Sequence, residues 1–108
     1  MLEINGELWY FKLVSTHHPM LYKNDGSLSV GACDKETRTI YINENLSIEN
    51  MKKVLCHEIT HAFMISYHML LTIHEEELFA DLLATYGEEI VKMSNALFIK
   101  IKKIRGDS

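Results

Sequence analysis

His57, Glu58 and His61 stand in the order His-Glu-Ile-Thr-His, and these residue types at this spacing suit one particular chemistry. Side chains four apart share a face of a helix, so both imidazoles can turn a nitrogen toward one point. Neutral imidazoles are good ligands for Zn²⁺, and a catalytic zinc takes three protein ligands and keeps a place for water. Glu58 sits where its carboxylate can reach that water and take its proton. The pattern asks for a zinc-dependent hydrolase, with a peptide bond as the expected target.

Two histidines alone hold a metal loosely, and the chain must supply a third donor. Residues 74–81 offer His74, Glu75, Glu76, Glu77 and Asp81. A second helix lying antiparallel to the first would bring its opening turns back beside His57 and His61. A carboxylate there would complete a set of two histidines and one glutamate.

The run Glu77-Leu78-Phe79-Ala80-Asp81 resembles the Glu-x-x-x-Asp segment of the gluzincins, the thermolysin-like zinc peptidases. That resemblance implies Glu77 as third metal ligand and Asp81 as acceptor of the far N–H of His57. A ligating imidazole is usually fixed by a carboxylate on its other nitrogen, and positions 77 and 81 share a helix face. Glu76 is the reserve third ligand, one residue away in helix phase.

The order of elements resembles the ImmA/IrrE-type metallopeptidases of phages and mobile elements, which cleave or antagonise a repressor. Gly31-Ala32-Cys33-Asp34 through Thr39-Ile40-Tyr41-Ile42-Asn43 resembles the hairpin that such proteins place before the active helix. The likeness runs over roughly residues 28–90. It implies a peptide or protein substrate, with a regulatory protein as one such target. The Glu-x-x-Ala-Asn opening usual in that family's second helix is not recognisable here.

Those motifs need elements to position them. Residues 4–14 are aromatic and β-branched enough for one strand, with Asn5-Gly6 as a turn near its start. Residues 15–27 hold Pro19 and the Asn24-Asp25-Gly26-Ser27 cluster, and read as loop. Strands are expected at 28–33 and 38–43, joined by Asp34-Lys35-Glu36-Thr37. Ser47 caps a helix running from Ile48 to about Ser66, with Leu46 set to staple against Met51. Met51, Leu55, Ile59, Ala62 and Phe63 form its apolar stripe; Val54, His57, Glu58 and His61 share a neighbouring face. After a connection at 67–74, a second helix begins near Glu75 with Leu78, Phe79, Leu82, Leu83 and Tyr86 as its apolar side. Gly87 is expected to bend or break it. A C-terminal helix then carries Ile90, Met93, Leu97, Ile101 and Ile104 to a frayed end at 106–108. The fold class is α+β: a small, mostly antiparallel sheet of about three strands on the active helix, closed by the second and C-terminal helices. Residues 1–108 make a single minimal zincin-like domain.

A peptidase of this type also needs a donor for the developing oxyanion, usually Tyr or His. Tyr67, His68, His74 and Tyr86 are the candidates, and no motif chooses among them. His17-His18 beside Pro19 reads as loop. Cys56 and Cys33 read as small buried hydrophobes, and the six methionines as core filler. Lys92, Lys100, Lys102, Lys103 and Arg105 give the last helix a basic face, read first as solvated and second as a docking surface for an acidic partner.

Composition narrows the rest. A formal charge of −4 argues against general binding of nucleic-acid phosphates. No run of about 18 apolar residues exists to span a bilayer, and the first residues lack the pattern of a secretory signal. Two cysteines make no disulfide framework. A cytoplasmic setting is expected. The rival to an enzyme is a zinc-binding interaction module without proteolysis. A fourth protein ligand, His74 or Glu76, in place of the water would favour that rival.

Overall fold

A computed structural model of the chain describes residues 1–106. Asp107 and Ser108, the end expected to fray, lie outside the described residues. The elements are β1 (Leu2–Ile4), β2 (Glu7–Val14), a short 3₁₀ turn (Pro19–Leu21), β3 (Gly31–Asp34), β4 (Thr39–Asn43), α1 (Ile48–Ser66) and α2 (Ile73–Arg105).

The first strand expected at 4–14 is a hairpin. Asn5 and Gly6 both take positive φ, 50° and 76°, which a two-residue hairpin turn requires. The turn pairs Leu2 with Trp9 and Ile4 with Glu7. The sheet therefore has four strands, in the order β1-β2-β4-β3, rather than about three. β1 and β3 pair antiparallel with their neighbours, while β2 and β4 run parallel at its centre. Parallel pairing needs a crossover, and the loop, the 3₁₀ turn and β3 together supply it. β3 starts at Gly31, later than the expected 28, because Ser29 turns inward. Its hydroxyl donates to the carbonyls of Leu21 and Gly31.

Every residue of β4 is buried. Ile40 and Ile42 face α1 and join Ile4, Trp9 and Ala62 in the main core, with Met51, Val54, Leu55 and Ile59 packed against them. Tyr41 faces the other way, onto Val14 and Leu21. His18 caps the 3₁₀ turn by accepting from the Met20 N–H, and its ring stacks on Tyr41. The hairpin is tied to the far end of α1. The fully buried Trp9 indole donates to the Ser66 hydroxyl at 2.7 Å, and the Asn5 amide donates to the Ser66 carbonyl.

α1 has the expected bounds, and the Ser47 hydroxyl accepts from the Asn50 N–H. Leu46 and Met51 both pack on the main core. Phe63, placed on the apolar stripe by its spacing, stays about half exposed. α2 starts at Ile73, two residues before the expected Glu75. Thr72 and Glu75 form a reciprocal capping box there. It then runs unbroken for 33 residues, so the separate C-terminal helix does not exist. One glycine costs a helix about 1 kcal/mol relative to Ala. That is too little to break it at Gly87 between good helix formers. α2 also buries almost nothing: Ala80 is its one fully buried residue, and the expected apolar side of Leu78, Phe79, Leu82, Leu83 and Tyr86 is exposed. No helix among the described residues is long and apolar enough to cross a membrane.

Candidate metal centre

α1 and the first turns of α2 face each other across a cleft of about 600 Å³, floored by the imidazoles and walled on one side by β3. The six-residue connection at 67–72, turned by His68 at φ 53°, sends the chain back so that residues 76–81 lie beside 57–61. The Lys52–Glu88 ion pair at 3.0 Å shows how far this antiparallel alignment extends.

Four atoms converge in the cleft. The two histidine Nε2 atoms lie 3.2 Å apart. The Glu77 carboxylate spans both, with one oxygen 3.2 Å from His57 Nε2 and the other 3.0 Å from His61 Nε2. Zinc bonds of about 2.0–2.2 Å in a tetrahedron set the donor atoms about 3.3 Å apart. The donor types and separations fit such an ion, and His57, His61 and Glu77 could hold it.

The other side of each imidazole is also engaged. Asp81 lies 3.1 Å from His57 Nδ1, and Glu76 lies 2.9 Å from His61 Nδ1. Glu76, the reserve ligand in the sequence, therefore stands behind a histidine instead of in the donor set. One helix contributes all three carboxylates within two turns, with Glu76 and Glu77 about 100° apart around its axis. Glu75 has a structural task, accepting from the Thr72 N–H in the capping box.

Glu58 is 7% exposed and lies in the cleft wall. Burial pushes its carboxyl above the ordinary carboxylate range, against the pull of His61 and His57, while Glu77 adds to the rise. β3 presses closely on it: Gly31 approaches Val54 and Glu58 where a larger residue would not fit.

Of the four candidate oxyanion donors, none lines the cleft. Tyr67 stacks on Phe63, His68 makes the turn, His74 is exposed in the first turn of α2, and Tyr86 is half exposed farther along it. The cleft does contain a hydroxyl that the sequence reading passed over. Tyr22 lines it, with its OH 3.0 Å from His17 Nδ1. The pairing of His17 with Tyr22 across the turn at Pro19 is a local signal, but nothing local places that turn over the metal site.

A small sheet, a His-Glu-x-x-His helix and a glutamate-bearing helix closing on it define a candidate metal centre of the zincin type. The chain belongs to the peptidase family described as the IrrE N-terminal-like domain, whose model matches residues 14–97. No curated protein and no solved structure matches the chain.

Proposed function

We propose that this chain is a zinc-dependent peptidase acting on extended segments of peptide or protein. The observation that carries this reading is the convergence of His57, His61 and Glu77 beside a buried Glu58 in an open cleft. Bound there, zinc would lower the pKa of a water toward 7 and polarise the scissile carbonyl.

Each residue then has a task. His57, His61 and Glu77 hold the ion. Asp81 and Glu76 keep the two imidazoles in the tautomer that presents Nε2. Glu58 takes a proton from the attacking water and returns it to the leaving amine. Its raised affinity for protons suits a group that must both accept and release one. Tyr22, its hydroxyl oriented by His17, supplies the donor for the oxyanion in place of the four residues first considered.

The substrate lies along β3. Of the two strands of the β3–β4 hairpin, β4 is paired on both sides and β3 is the outer strand lining the cleft. An extended chain can add to such an edge through main-chain hydrogen bonds. That recognition favours flexible segments, including those of a regulatory protein. A cytoplasmic setting, where the two thiols stay reduced, completes the reading.

The rival, a zinc module without catalysis, needs a closed site. His74 does not line the cleft and Glu76 is turned to His61 Nδ1, so neither supplies a fourth ligand here. The deciding comparison is wild type, Glu58→Ala and Glu77→Ala, each assayed for zinc per chain and for cleavage of an unfolded protein. Glu58→Ala should keep its zinc and lose cleavage, and Glu77→Ala should lose both. Full cleavage by zinc-loaded Glu58→Ala would overturn the mechanism.

A further inference from the structure

The side of α2 turned away from the metal site carries an apolar seam that the chain itself leaves uncovered. Phe79, Leu83, Tyr86, Ile90, Met93 and Leu97 follow one another at steps of four and three, and the series reaches Ile104 one heptad later. Steps averaging 3.5 residues keep a stripe on one face of a helix and are the mark of a helix that pairs with another. These side chains are between 42% (Leu83) and 66% (Met93) exposed, and Ile104 is 84% exposed. At 100° per residue Tyr86 lies opposite Glu77 on the helix, so the seam and the metal ligands occupy opposite sides. Leu83 also borders an apolar groove of about 500 Å³ with Leu55, Ile59 and Phe63 of α1, which widens the seam at that end.

The charges along α2 say what covers it. Residues 75–89 contain Glu75, Glu76, Glu77, Asp81, Glu88 and Glu89 and no lysine or arginine. Residues 90–105 contain Lys92, Lys100, Lys102, Lys103 and Arg105 and no acid. Glu77, Asp81 and Glu88 lie on the metal-site side of the helix with Lys92, Lys102 and Lys103, whereas Glu75, Glu89, Lys100 and Arg105 flank the seam. A second α2 laid antiparallel across the first therefore sets the acidic flank of one half against the basic flank of the other. A parallel copy would oppose like charges at both ends. The reversal falls near residue 90, the midpoint of the charged span, so a twofold axis there pairs both halves at once, as a self-complementary interface requires. Seven exposed side chains per copy, at roughly 80–100 Å² each, remove about 1,100–1,400 Å² in total, at the lower end of the range of stable specific interfaces.

We propose that the chain forms an antiparallel homodimer through the Phe79–Ile104 seam of α2, with the two metal sites open on its outer sides. The proposal stands apart from catalysis, since it concerns the opposite face of the helix. Lys100 and Arg105 of the last turns thus face Glu75, at the start of α2 in the second copy.

Sedimentation velocity of the purified full chain should give twice its 12.5 kDa mass at micromolar concentration. Ile90→Glu with Leu97→Glu should weaken dimerisation about 100-fold or more, since two charges per copy would be buried unpaired. Neither residue is in a core cluster, so Trp9 fluorescence in the sheet should report an intact fold. Orientation is read from spin labels at Lys103→Cys, with Cys33 and Cys56 replaced by serine. At 1.5 Å per residue, labels 13 residues from the axis lie about 40 Å apart in the antiparallel dimer and within about 15 Å in a parallel one. A monomeric wild type, a complex with some other protein in place of a second copy, a dimer indifferent to the double substitution, or a short label distance would each overturn it.

Discussion

Glu76 accepts a hydrogen bond from Nδ1 of His61 at 2.9 Å, the counterpart of the one Asp81 accepts from Nδ1 of His57 at 3.1 Å. A proton held on Nδ1 leaves the Nε2 lone pair free, and in both rings Nε2 is the atom that faces Glu77. The site is thus gripped from two sides by carboxylates of a single helix.

That arrangement separates holding from binding. Removing a carboxylate behind a metal-binding histidine typically weakens metal affinity 10–100-fold. Glu76→Ala and Asp81→Ala should each fall in that range in competition with a chelator, and Ala at either place preserves the helix. Glu77→Ala removes a donor and should cost far more. If Glu76→Ala proved the more damaging of the two neighbours and Glu77→Ala mild, the ligand assignment would have to be exchanged.

Cys33 offers a chemical probe of the same cleft. Burial pushes its thiol up to about 12, with Glu58, Glu76 and Asp34 adding to the rise. At pH 8 a thiol of that kind is ionised in about one molecule in ten thousand, against about a tenth for an ordinary cysteine. Alkylation of Cys33 in the folded, metal-free protein should be on the order of a thousandfold slower than in urea, as read by peptide mapping. The sign for stability follows. The unfolded thiol loses its proton first, from its ordinary value of 9.0, while the folded one keeps it. This group's contribution is therefore full below pH 9 and is lost as pH rises toward 12. Rapid labelling of Cys33 in the native protein at pH 8 would contradict the burial that underlies this.

The parts of the fold that were legible in the sequence are those decided within a few residues. The Ser47 cap and the 3.6-residue period set both ends of α1, and the spacing of His57, His61, Glu77 and Asp81 carried over to a converged site. Asn5-Gly6 was visible as a turn, but whether two residues interrupt a strand or start one depends on the strand they pair with. Gly87 marked a weak point whose cost is small beside its helical neighbours. The exposure of Leu78, Phe79 and Leu82 could not be read from the pattern, because a period names a face and not what covers it. Tyr22 was missed for the same reason: only the crossover from β2 to β4 brings the 3₁₀ turn over the cleft.

Gly31 makes the sharpest test of how the sheet positions Glu58, the general base in the proposed mechanism. A Cβ at this residue would stand 2.8 Å from Val54 Cγ1, closer than side chains tolerate, and 3.1 Å from Glu58 Cγ, a tight contact. Val54 is partly buried against the main core, so relief requires β3 to move outward or Val54 or Glu58 to shift. Overpacking of this sort costs about 1–3 kcal/mol, and Gly31→Ala should lower stability to chemical denaturation by that amount. The proposed metal donors lie on α1 and α2 and not on β3, so metal per chain should stay at the wild-type level. Cleavage should nonetheless fall at least tenfold, because a Glu58 displaced by even 1 Å no longer meets the water it must deprotonate. Val54→Ala in the Gly31→Ala background reopens the space and should recover part of both losses. A Gly31→Ala protein as stable and as active as wild type would mean that β3 does not press on α1 as closely as these distances require.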